Sequence, residues 1–427
     1  MKSSLQSLNS LRPFFRGRLP GQLIIQYSNC CNADCPQCGM RRSANIQRHT
    51  LGKEIVMRLI DSAAKKGIKA LSFTGGEPLL FLDDIIQLIH HASAAGIPYI
   101  RTGTNGFLFR DSDTPGYEKK ITTLVEKLAA TDIYTFWISL DSAEPANHEA
   151  MRGLKGVVKG IEKALPIFHD HGIYPAVNLG INRATGGRSH QVFLHDSDTS
   201  DELFLEAFKA SFVRFYSFVH NLGFTTVNAC YPMSSDSAVA ESDGSGGSLD
   251  TGLYGAVSSD SLVSFSPAEK TLIFTALMET IPKFRGKLRI FTPRCSLHNL
   301  IRKFADQKQS LYPCRGGTDF FFVNCDNGRV HPCGYRDEPL DELPELGQRQ
   351  RNGASCELCE WECFRDPSDL LGPFAELFSR PHRLLAQFAR DPKFYKLLQQ
   401  DLRYYRACDF FNGRLAPRLT AMKRYEK

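Results

Sequence analysis

The 427-residue chain predicts an α/β fold built on a mostly parallel sheet. Between residues 21 and 232, six short apolar segments alternate with five helical patterns, and strands buried on both faces of a parallel sheet have this apolar character. Glycines at positions 67, 96, 172 and 223 follow four of the helical patterns, where a helix C-cap is expected. Repeated strand–helix units joined by right-handed crossovers form a parallel sheet. Periodicity alone does not say whether the sheet closes.

The predicted strands are 23–27, 68–73, 97–104, 133–140, 173–179 and 224–230. The predicted helices between them are 53–66, 82–95, 117–130, 156–171 and 201–222. A further apolar stripe over 267–284 predicts a helix that docks on this core.

Composition indicates a soluble globular protein, with 42% hydrophobic and 23% charged residues. The net charge of +6 permits an acidic partner without requiring nucleic acid. We find no apolar run of membrane-spanning length, so no membrane association is expected. Thirteen cysteines in a long chain without a secretory signal favour metal or redox use. We therefore expect a reducing, cytoplasmic location.

Three cysteines follow the first predicted strand at CxxxCxxC spacing: Cys31, Cys35 and Cys38. Three thiolates on one short loop can hold three irons of a cubane cluster and leave the fourth iron open to a small ligand. Zinc is the alternative, although zinc sites usually pair one CxxC with another or with histidines.

The second predicted strand ends in the sequence TGGEP, residues 74–78. Gly75 and Gly76 would let the backbone approach a ligand closely. The carboxylate of Glu77 could receive an ammonium group.

A CxxxCxxC loop after one strand and GGEP after the next resemble the radical S-adenosylmethionine (SAM) superfamily. The resemblance implies a partial (β/α)6 TIM-like barrel with its chemistry at the C-terminal strand ends. It implies a [4Fe–4S] cluster on Cys31, Cys35 and Cys38 that binds SAM. Reductive cleavage of SAM would give a 5′-deoxyadenosyl radical that abstracts a substrate hydrogen, with a flavodoxin or ferredoxin-type reductant.

The resemblance also implies which residues contact SAM. Gly75, Gly76 and Glu77 match the motif that receives the SAM amino group. The remaining matches are polar residues at or after strand ends: Ser139, Asp141, Arg152 and Asn178. The residue before the third cysteine is commonly aromatic in the family but is Gln37 here, so adenine contacts could come from Phe73 or the Tyr231 region.

A second group of cysteines lies in the C-terminal part. Cys314 and Cys333 flank an aromatic strand and an Asn-Gly turn, which predicts a hairpin that brings them together. Cys356 and Cys359 form a CxxC pair, and Cys363 follows. Four thiolates from a hairpin and a CxxC can bind either a cubane or zinc.

The spacing from Cys314 through Gly328 to Cys333 resembles the SPASM and Twitch auxiliary-cluster domains of radical SAM enzymes. The continuation departs from the full SPASM pattern. The resemblance then implies one auxiliary [4Fe–4S] cluster on Cys314, Cys333, Cys356 and Cys359, or with Cys363 in place of Cys359.

We predict six segments along the chain. They are an N-terminal extension (1–20), the partial barrel (21–232), a Ser/Gly-rich linker or lid (233–265), a docking helix and connector (266–294), a small α+β auxiliary-cluster domain (295–365) and a helical basic tail (366–427).

The leading functional hypothesis is a radical SAM oxidoreductase or maturase that acts on a peptide or small molecule with help from the auxiliary cluster. An RNA- or cofactor-modifying radical SAM enzyme is the alternative, because the tail interleaves basic and aromatic residues that could bind nucleic acid. A packed helix with a solvated face explains the same tail. A zinc-stabilised nucleic-acid-binding protein is the alternative of another class.

Overall fold

The computed structural model describes residues 14–36, 38, 47–193, 200–232, 260–306, 310–336, 339–340, 356–357 and 360–427. Gln37, Cys359 and most of the Ser/Gly-rich linker lie outside these ranges.

The strands of the described ranges form one open sheet in the order β7-β6-β5-β4-β3-β2-β1-β8-β9. Their bounds are β1 Gly21–Ser28, β2 Ile68–Gly75, β3 Tyr99–Thr104, β4 Ile133–Ser139, β5 Ala176–Gly180, β6 Thr226–Cys230, β7 Arg289–Ile290, β8 Phe320–Val323 and β9 Val330–His331.

The helices that the structure describes are α1 Lys53–Lys65, α2 Leu82–Ala94, α3 Tyr117–Ala129, α4 Pro145–Arg152, α5 Val157–Asp170, α6 Asp201–Leu222, α7 Pro267–Thr280, α8 Arg294–Asp306, α9 Glu362–Ser379, α10 Pro381–Arg390, α11 Pro392–Ala407 and α12 Leu419–Lys423. Short 3-10 turns lie at 78–81, 107–109, 188–190, 281–283 and 409–411.

Strands β1 to β7 pair in parallel with their sequence neighbours, as in a partial barrel. The α/β prediction and the partial barrel are confirmed. The glycines at 67, 96, 172 and 223 have positive φ values of 68° to 103°, as the predicted helix ends require. Helices α4 and α8 and strand β7 were not predicted.

The C-terminal hairpin extends the same sheet. Strand β8 pairs in parallel with β1, and β9 pairs antiparallel with β8 around the predicted Asn-Gly turn. The region expected to hold an auxiliary cluster is therefore continuous with the barrel sheet.

The two faces of β1 belong to different cores. Leu23 and Ile25 lie in the large core that includes the buried residues of α1 and α2. Ile24 instead packs in a second core with Phe320, Phe322 and the start of α9. Gln22 donates a hydrogen bond to the Cys363 carbonyl oxygen (3.3 Å), so the start of α9 lies on the inner face of the sheet.

The tail is part of the barrel. Gly413 makes backbone hydrogen bonds to Tyr134 (2.8 Å) at the start of β4 and to Tyr174 (2.7 Å) just before β5. Tyr404, Tyr405 and Phe411 are buried, whereas Phe410 is 58% exposed. The packed-tail interpretation agrees with this burial, since most of these aromatic rings face the core.

No helix in the described ranges is both long and apolar enough to span a membrane.

Gly160 provides a test of the α5 packing. A Cβ added there would overlap the Phe109 carbonyl oxygen, which is backbone and cannot turn aside. We expect Gly160→Ala to lower the free energy of unfolding by about 2–3 kcal/mol, measured by chemical denaturation. At Gly52 an added Cβ would meet the Ile55 side chain at 3.7 Å and the Glu54 side chain at 4.0 Å, which are ordinary contacts, so Gly→Ala should cost less than about 1 kcal/mol. Equal effects at the two sites would contradict this account.

Candidate active site at the strand ends

The cysteine loop begins where β1 ends. The sulfur of Cys31 accepts hydrogen bonds from the Ala33 N–H (3.4 Å) and from the Asn105 side-chain amide (3.7 Å). The Cys38 N–H donates to the Cys35 carbonyl oxygen (3.2 Å). Donors directed at a cysteine sulfur suit a thiolate ligand, because hydrogen bonds to cluster sulfurs tune such sites.

Gly75 and Gly76 bring the end of β2 against this loop. A Cβ on Gly75 would overlap the Ser28 carbonyl oxygen, and a Cβ on Gly76 would overlap that of Cys30. The Gly76 N–H donates to Ser28 (2.7 Å), and the Glu77 N–H donates to Cys30 (2.8 Å). In the structure, the two glycines serve the contact between strand ends; the expected close approach to a ligand stays a prediction.

Glu77 is 1% exposed. Its carboxylate accepts hydrogen bonds from the Leu79 N–H (3.0 Å) and the Asn105 N–H (2.6 Å), so it joins the ends of β2 and β3. Burial raises the pKa of Glu77 to about 7, while the Asn105 and Leu79 N–H groups act in the opposite direction. The Thr104 side chain is a third donor to this carboxylate. A carboxylate has about four acceptor sites, so there is room for one more donor.

Asp141 and Arg152 form a buried ion pair of 2.7 Å between the loop after β4 and the end of α4. Burial raises the pKa of Asp141, but Arg152 and then His148 lower it more, and the net pKa lies below the ordinary range. The Arg152 carbonyl oxygen accepts the Asp34 N–H (3.0 Å), which ties this pair to the cysteine loop.

Arg152 also places positive charge near the thiols. Burial raises the pKa of Cys35 to about 12, and the Arg152 guanidinium is the largest influence that lowers it. Cys38 and Cys31 raise the same pKa, so the three sulfurs influence one another. A cation bound between them would remove that repulsion.

Two candidate residues lie next to each other on neighbouring strands of the sheet. Ser139 stands opposite Asn178 in the β4–β5 register. The Asn178 side-chain oxygen accepts a hydrogen bond from Asn228 on β6 (2.9 Å). Ser139, Asn178 and Asn228 thus lie side by side on β4, β5 and β6.

Both alternative adenine contacts are buried members of the large core. Phe73 is 2% exposed and packs there with Ile25. Tyr231 is 4% exposed, and its hydroxyl donates to Asp366 on α9 (3.2 Å). Gln37 lies outside the described residues.

The C-terminal cysteines share the second core. Cys314 forms an antiparallel bridge with Cys356, with its N–H donating to the Cys356 carbonyl oxygen (3.1 Å). Cys333 lies in the same core, and Cys356 and Cys363 pack against it. Burial raises the pKa of Cys314 to about 11, with Arg365 acting in the opposite direction.

Cys359 is outside the described residues, but its neighbours are anchored. Glu360, which follows it, pairs with the buried Lys270 of α7. Cys356, at the start of the CxxC, is bridged to Cys314.

Cys363 has a second set of neighbours. Its thiol donates to the Glu362 carboxylate (3.6 Å), and burial, then Glu362, raise its pKa, whereas Arg101 lowers it. Cys230 at the end of β6 is influenced by the same Glu362 and Cys363. Cys363 thus lies between the second core and the inner face of the barrel.

The structure adds residues that sequence reasoning missed. Asn105 connects Glu77 to Cys31, and Asn32 accepts its amide (2.8 Å). His148 accepts the Asp141 N–H at Nδ1 (3.1 Å), and burial lowers its pKa to about 3. An Asn or His without a motif around it gives no local signal, so neither could be found by spacing.

No three His, Cys, Asp or Glu side chains among the described residues converge as a ready metal-binding group. The donor set nevertheless fits iron–sulfur clusters, because Cys31, Cys35 and Cys38 share one loop beside buried Arg152. The second core likewise brings together Cys314, Cys333 and Cys356 beside Arg365. Both sets are rich in thiol and poor in imidazole, the composition that cubane clusters use.

Residues 25–186 match the family model described as Radical SAM superfamily. The chain is similar to this superfamily over that stretch, which is 162 of its 427 residues. Proteins of this superfamily use a [4Fe–4S] cluster and SAM, and the CxxxCxxC loop and GGEP fall within the matched residues.

Curated relatives match part of the chain. A probable GTP 3′,8-cyclase of Pyrococcus abyssi is 30% identical over 169 residues, which cover 39% of this chain and 50% of the relative. An AdoMet-dependent heme synthase of Methanosarcina barkeri is 29% identical over 126 residues, covering 30% of this chain and 32% of the relative. The chain therefore spans about half the length, or less, of the curated relatives it matches.

One solved structure similar to this chain is that of tagged anSMEcpe with bound AdoMet. It aligns with 16% identity and a TM-score of 0.48, over 95% of this chain and 99% of that chain.

Glu77 provides a test of the strand-end contacts. Because its pKa in the folded protein is about 7, above the ordinary 4.5, the free energy of unfolding should fall as pH rises from 4.5 to 7. Glu77→Gln removes this titration, so the stability difference between the two proteins should change by on the order of 3 kcal/mol across that interval.

The measurement is chemical denaturation of the metal-free proteins at several pH values. Asp113 serves as the control, since Lys159 and Lys163 lower its pKa to about 2. Asp113→Asn should leave the slope between pH 4.5 and 7 unchanged. Parallel curves for wild type and Glu77→Gln would refute the assignment.

Proposed function

We propose that this protein is a radical SAM oxidoreductase or maturase with one auxiliary [4Fe–4S] cluster. The observation that carries the proposal is the joining of Cys31, Gly75–Gly76 and Glu77 at adjacent strand ends. When bound there, the cluster and SAM supply a 5′-deoxyadenosyl radical that abstracts a hydrogen atom from the substrate.

The SAM-binding cluster would be held by the three thiolates of the first loop, those of Cys31, Cys35 and Cys38. Arg152, held in place by Asp141, would offset part of the negative charge of these thiolates.

SAM itself would be bound by the strand ends beside that loop. The remaining acceptor capacity of Glu77 would receive the SAM amino group, and the backbone of Gly75 and Gly76 would line the approach. Ser139 and Asn178 would contact the polar parts of SAM.

Cys314, Cys333, Cys356 and Cys359 would hold the auxiliary cluster. Two observations support this ligand set: the β-bridge between Cys314 and Cys356, and the ion pair between Lys270 and Glu360, the residue after Cys359. Cys363 is placed between this group and the barrel interior, so it remains the alternative fourth ligand. We keep the six segments of the sequence analysis as the proposed domain organisation. Strands β8 and β9 of the proposed auxiliary-cluster segment (295–365) extend the barrel sheet.

The substrate is proposed to be a peptide or a small molecule with polar groups. Asn228, Cys230 and Glu362 lie on or against the inner face of the sheet, where they could contact it. The alternative is an RNA- or cofactor-modifying enzyme that uses the tail. Burial of Tyr404, Tyr405 and Phe411 argues against it, since these rings are not available for stacking with bases.

A flavodoxin or ferredoxin-type protein is proposed as the electron donor, and the cytoplasm as the location. Both follow from the chemistry, since the SAM-binding cluster needs a low-potential electron and a reducing compartment.

The test is iron and sulfide content with electron paramagnetic resonance after anaerobic reconstitution. We expect about eight irons in wild type and about four in a Cys31/Cys35/Cys38→Ala variant, because each cubane holds four. Only proteins that keep Cys31, Cys35 and Cys38 should release 5′-deoxyadenosine from SAM with dithionite. A Cys314/Cys333→Ala variant should lose about four irons and still cleave SAM.

Cys30→Ala and Cys325→Ala are the matched controls, since Cys30 is adjacent to the motif and Cys325 is 2% exposed next to β8. Both should retain wild-type iron. Zinc in place of iron, with no SAM cleavage, would favour the zinc-stabilised nucleic-acid-binding protein and reject the enzyme.

A further inference from the structure

An open cavity of about 510 Å³ lies between helix α11 and the residues that follow α12. Arg403 and Arg406 of α11 line one side of it, and Arg424 and Tyr425 line the other. All three arginines are exposed to solvent. Sites for small molecules have volumes of roughly 300–1,000 Å³, so the cavity has the size of a ligand site with cationic walls.

The positive charge of this cavity is not neutralised within the described part of the chain. Residues 401–427 contain three acids, and each pairs with a basic residue outside the cavity lining: Asp401 with Arg285 (2.6 Å), Asp409 with Arg418 (2.6 Å) and Glu426 with Lys287 (3.4 Å). Like charges around one cavity repel each other, and a bound anion would remove that repulsion.

The wall formed by the end of the chain is anchored. The Tyr425 ring lies 5.4 Å from that of buried Tyr404, centroid to centroid. The guanidinium carbon of Arg424 lies 5.0 Å from the centroid of the Tyr425 ring. The Lys427 N–H donates a hydrogen bond to the Pro282 carbonyl oxygen (3.1 Å). The backbone that carries Arg424 is therefore held beside α11 without a ligand.

The cavity lies toward the end of the sheet opposite the candidate active site. The hydroxyl of Tyr404 donates to the Leu288 carbonyl oxygen (2.6 Å) and accepts the Ile290 N–H (2.8 Å), at the beginning of β7. Gly413, between α11 and α12, bonds to Tyr134 at the beginning of β4. The cysteine loop and Glu77 instead follow the carboxyl ends of β1 and β2. The arginine cavity is thus separate from the candidate active site.

We propose that this cavity binds a small molecule that carries a diphosphate group. A guanidinium group is a planar fork that donates two parallel hydrogen bonds to phosphate or carboxylate oxygens. A diphosphate offers more oxygens and more negative charge than one carboxylate, so it matches three arginines around a single cavity. The inference goes beyond the proposed function and does not depend on it.

Other anions fit the cavity less well. An acidic protein segment would need several carboxylates close together to supply the same charge. Single-stranded nucleic acid is bound along a basic groove with exposed rings for stacking, whereas Tyr404 and Tyr405 beside this cavity are buried. The experiment includes a probe for each of these alternatives.

The experiment is isothermal titration calorimetry of the anaerobically reconstituted full chain with inorganic pyrophosphate. An Arg403→Gln/Arg406→Gln variant and an Arg424→Gln variant should each bind at least about tenfold more weakly than wild type, since each loses hydrogen bonds between charged groups. Pyrophosphate should raise the Tm of wild type more than that of either variant. Without ligand, the three proteins should unfold at the same temperature, because the changed side chains are exposed.

A second titration with ADP distinguishes two sources of the group. Binding of ADP with the same dependence on the arginines supports a diphosphate on an organic carrier. Binding of pyrophosphate without ADP supports free diphosphate. Binding of neither would overturn the proposal.

The matched control is Arg58→Gln/Arg390→Gln, which removes two exposed arginines from α1 and α10 and changes the net charge equally. It should bind pyrophosphate like wild type. Equal loss in this control, or wild-type affinity in the cavity variants, would overturn the proposal.

Competing ligands provide the remaining checks. SAM should not displace pyrophosphate, because the two sites lie at opposite ends of the sheet, and displacement would contradict the assignment. Citrate that binds as tightly as pyrophosphate would reject a phosphate site. Tighter arginine-dependent binding of an acidic peptide or of single-stranded RNA would reject a small-molecule ligand.

Discussion

The candidate site depends on the close approach between the end of β2 and the loop that leaves β1. Gly75 and Gly76 make that approach possible. The Glu77 N–H then donates a hydrogen bond to the Cys30 carbonyl oxygen, and the Glu77 carboxylate accepts one from the Asn105 N–H. Asn105 in turn reaches the sulfur of Cys31. These hydrogen bonds connect the ends of β1, β2 and β3 next to Cys31. The described residues of this loop have little regular structure of their own, so their position is set by the sheet.

The start of α9 couples the two cysteine groups. Its first turns place Cys363, Glu362 and Asp366 against the inner face of the barrel, while Phe364 packs in the core that holds Cys314. Burial raises the pKa of Asp366, whereas the hydrogen bond that the Tyr231 hydroxyl donates to it acts in the opposite direction. A single helix therefore contributes to both the proposed auxiliary site and the space where a substrate would lie.

Local patterns predicted the repeated strands, the helix-ending glycines and the Asn-Gly hairpin, because each depends on a few neighbouring residues. The role of Gly75 and Gly76 against Ser28 and Cys30 was not predictable, since it joins residues more than forty positions apart. The short α4 gives a weak periodic signal. Spacing identified the cysteines, but it could not show that Cys363 also faces Glu362 or that Phe73 belongs to the large core.

The tail shows how tertiary packing overrides local preference. Asp409, Phe410 and Phe411 have consecutive φ values of 50°, 50° and 61°, which cost about 1–2 kcal/mol each for residues with a side chain. Phe411 offsets this cost by packing 4.9 Å from Phe291 and 4.6 Å from Tyr405, centroid to centroid. The turn also directs Gly413 onto Tyr134 and Tyr174. Helices α10 and α11 lie between this anchor and the start of α9, which contacts β1 through Gln22. The C-terminal helices are therefore held to the barrel at both ends.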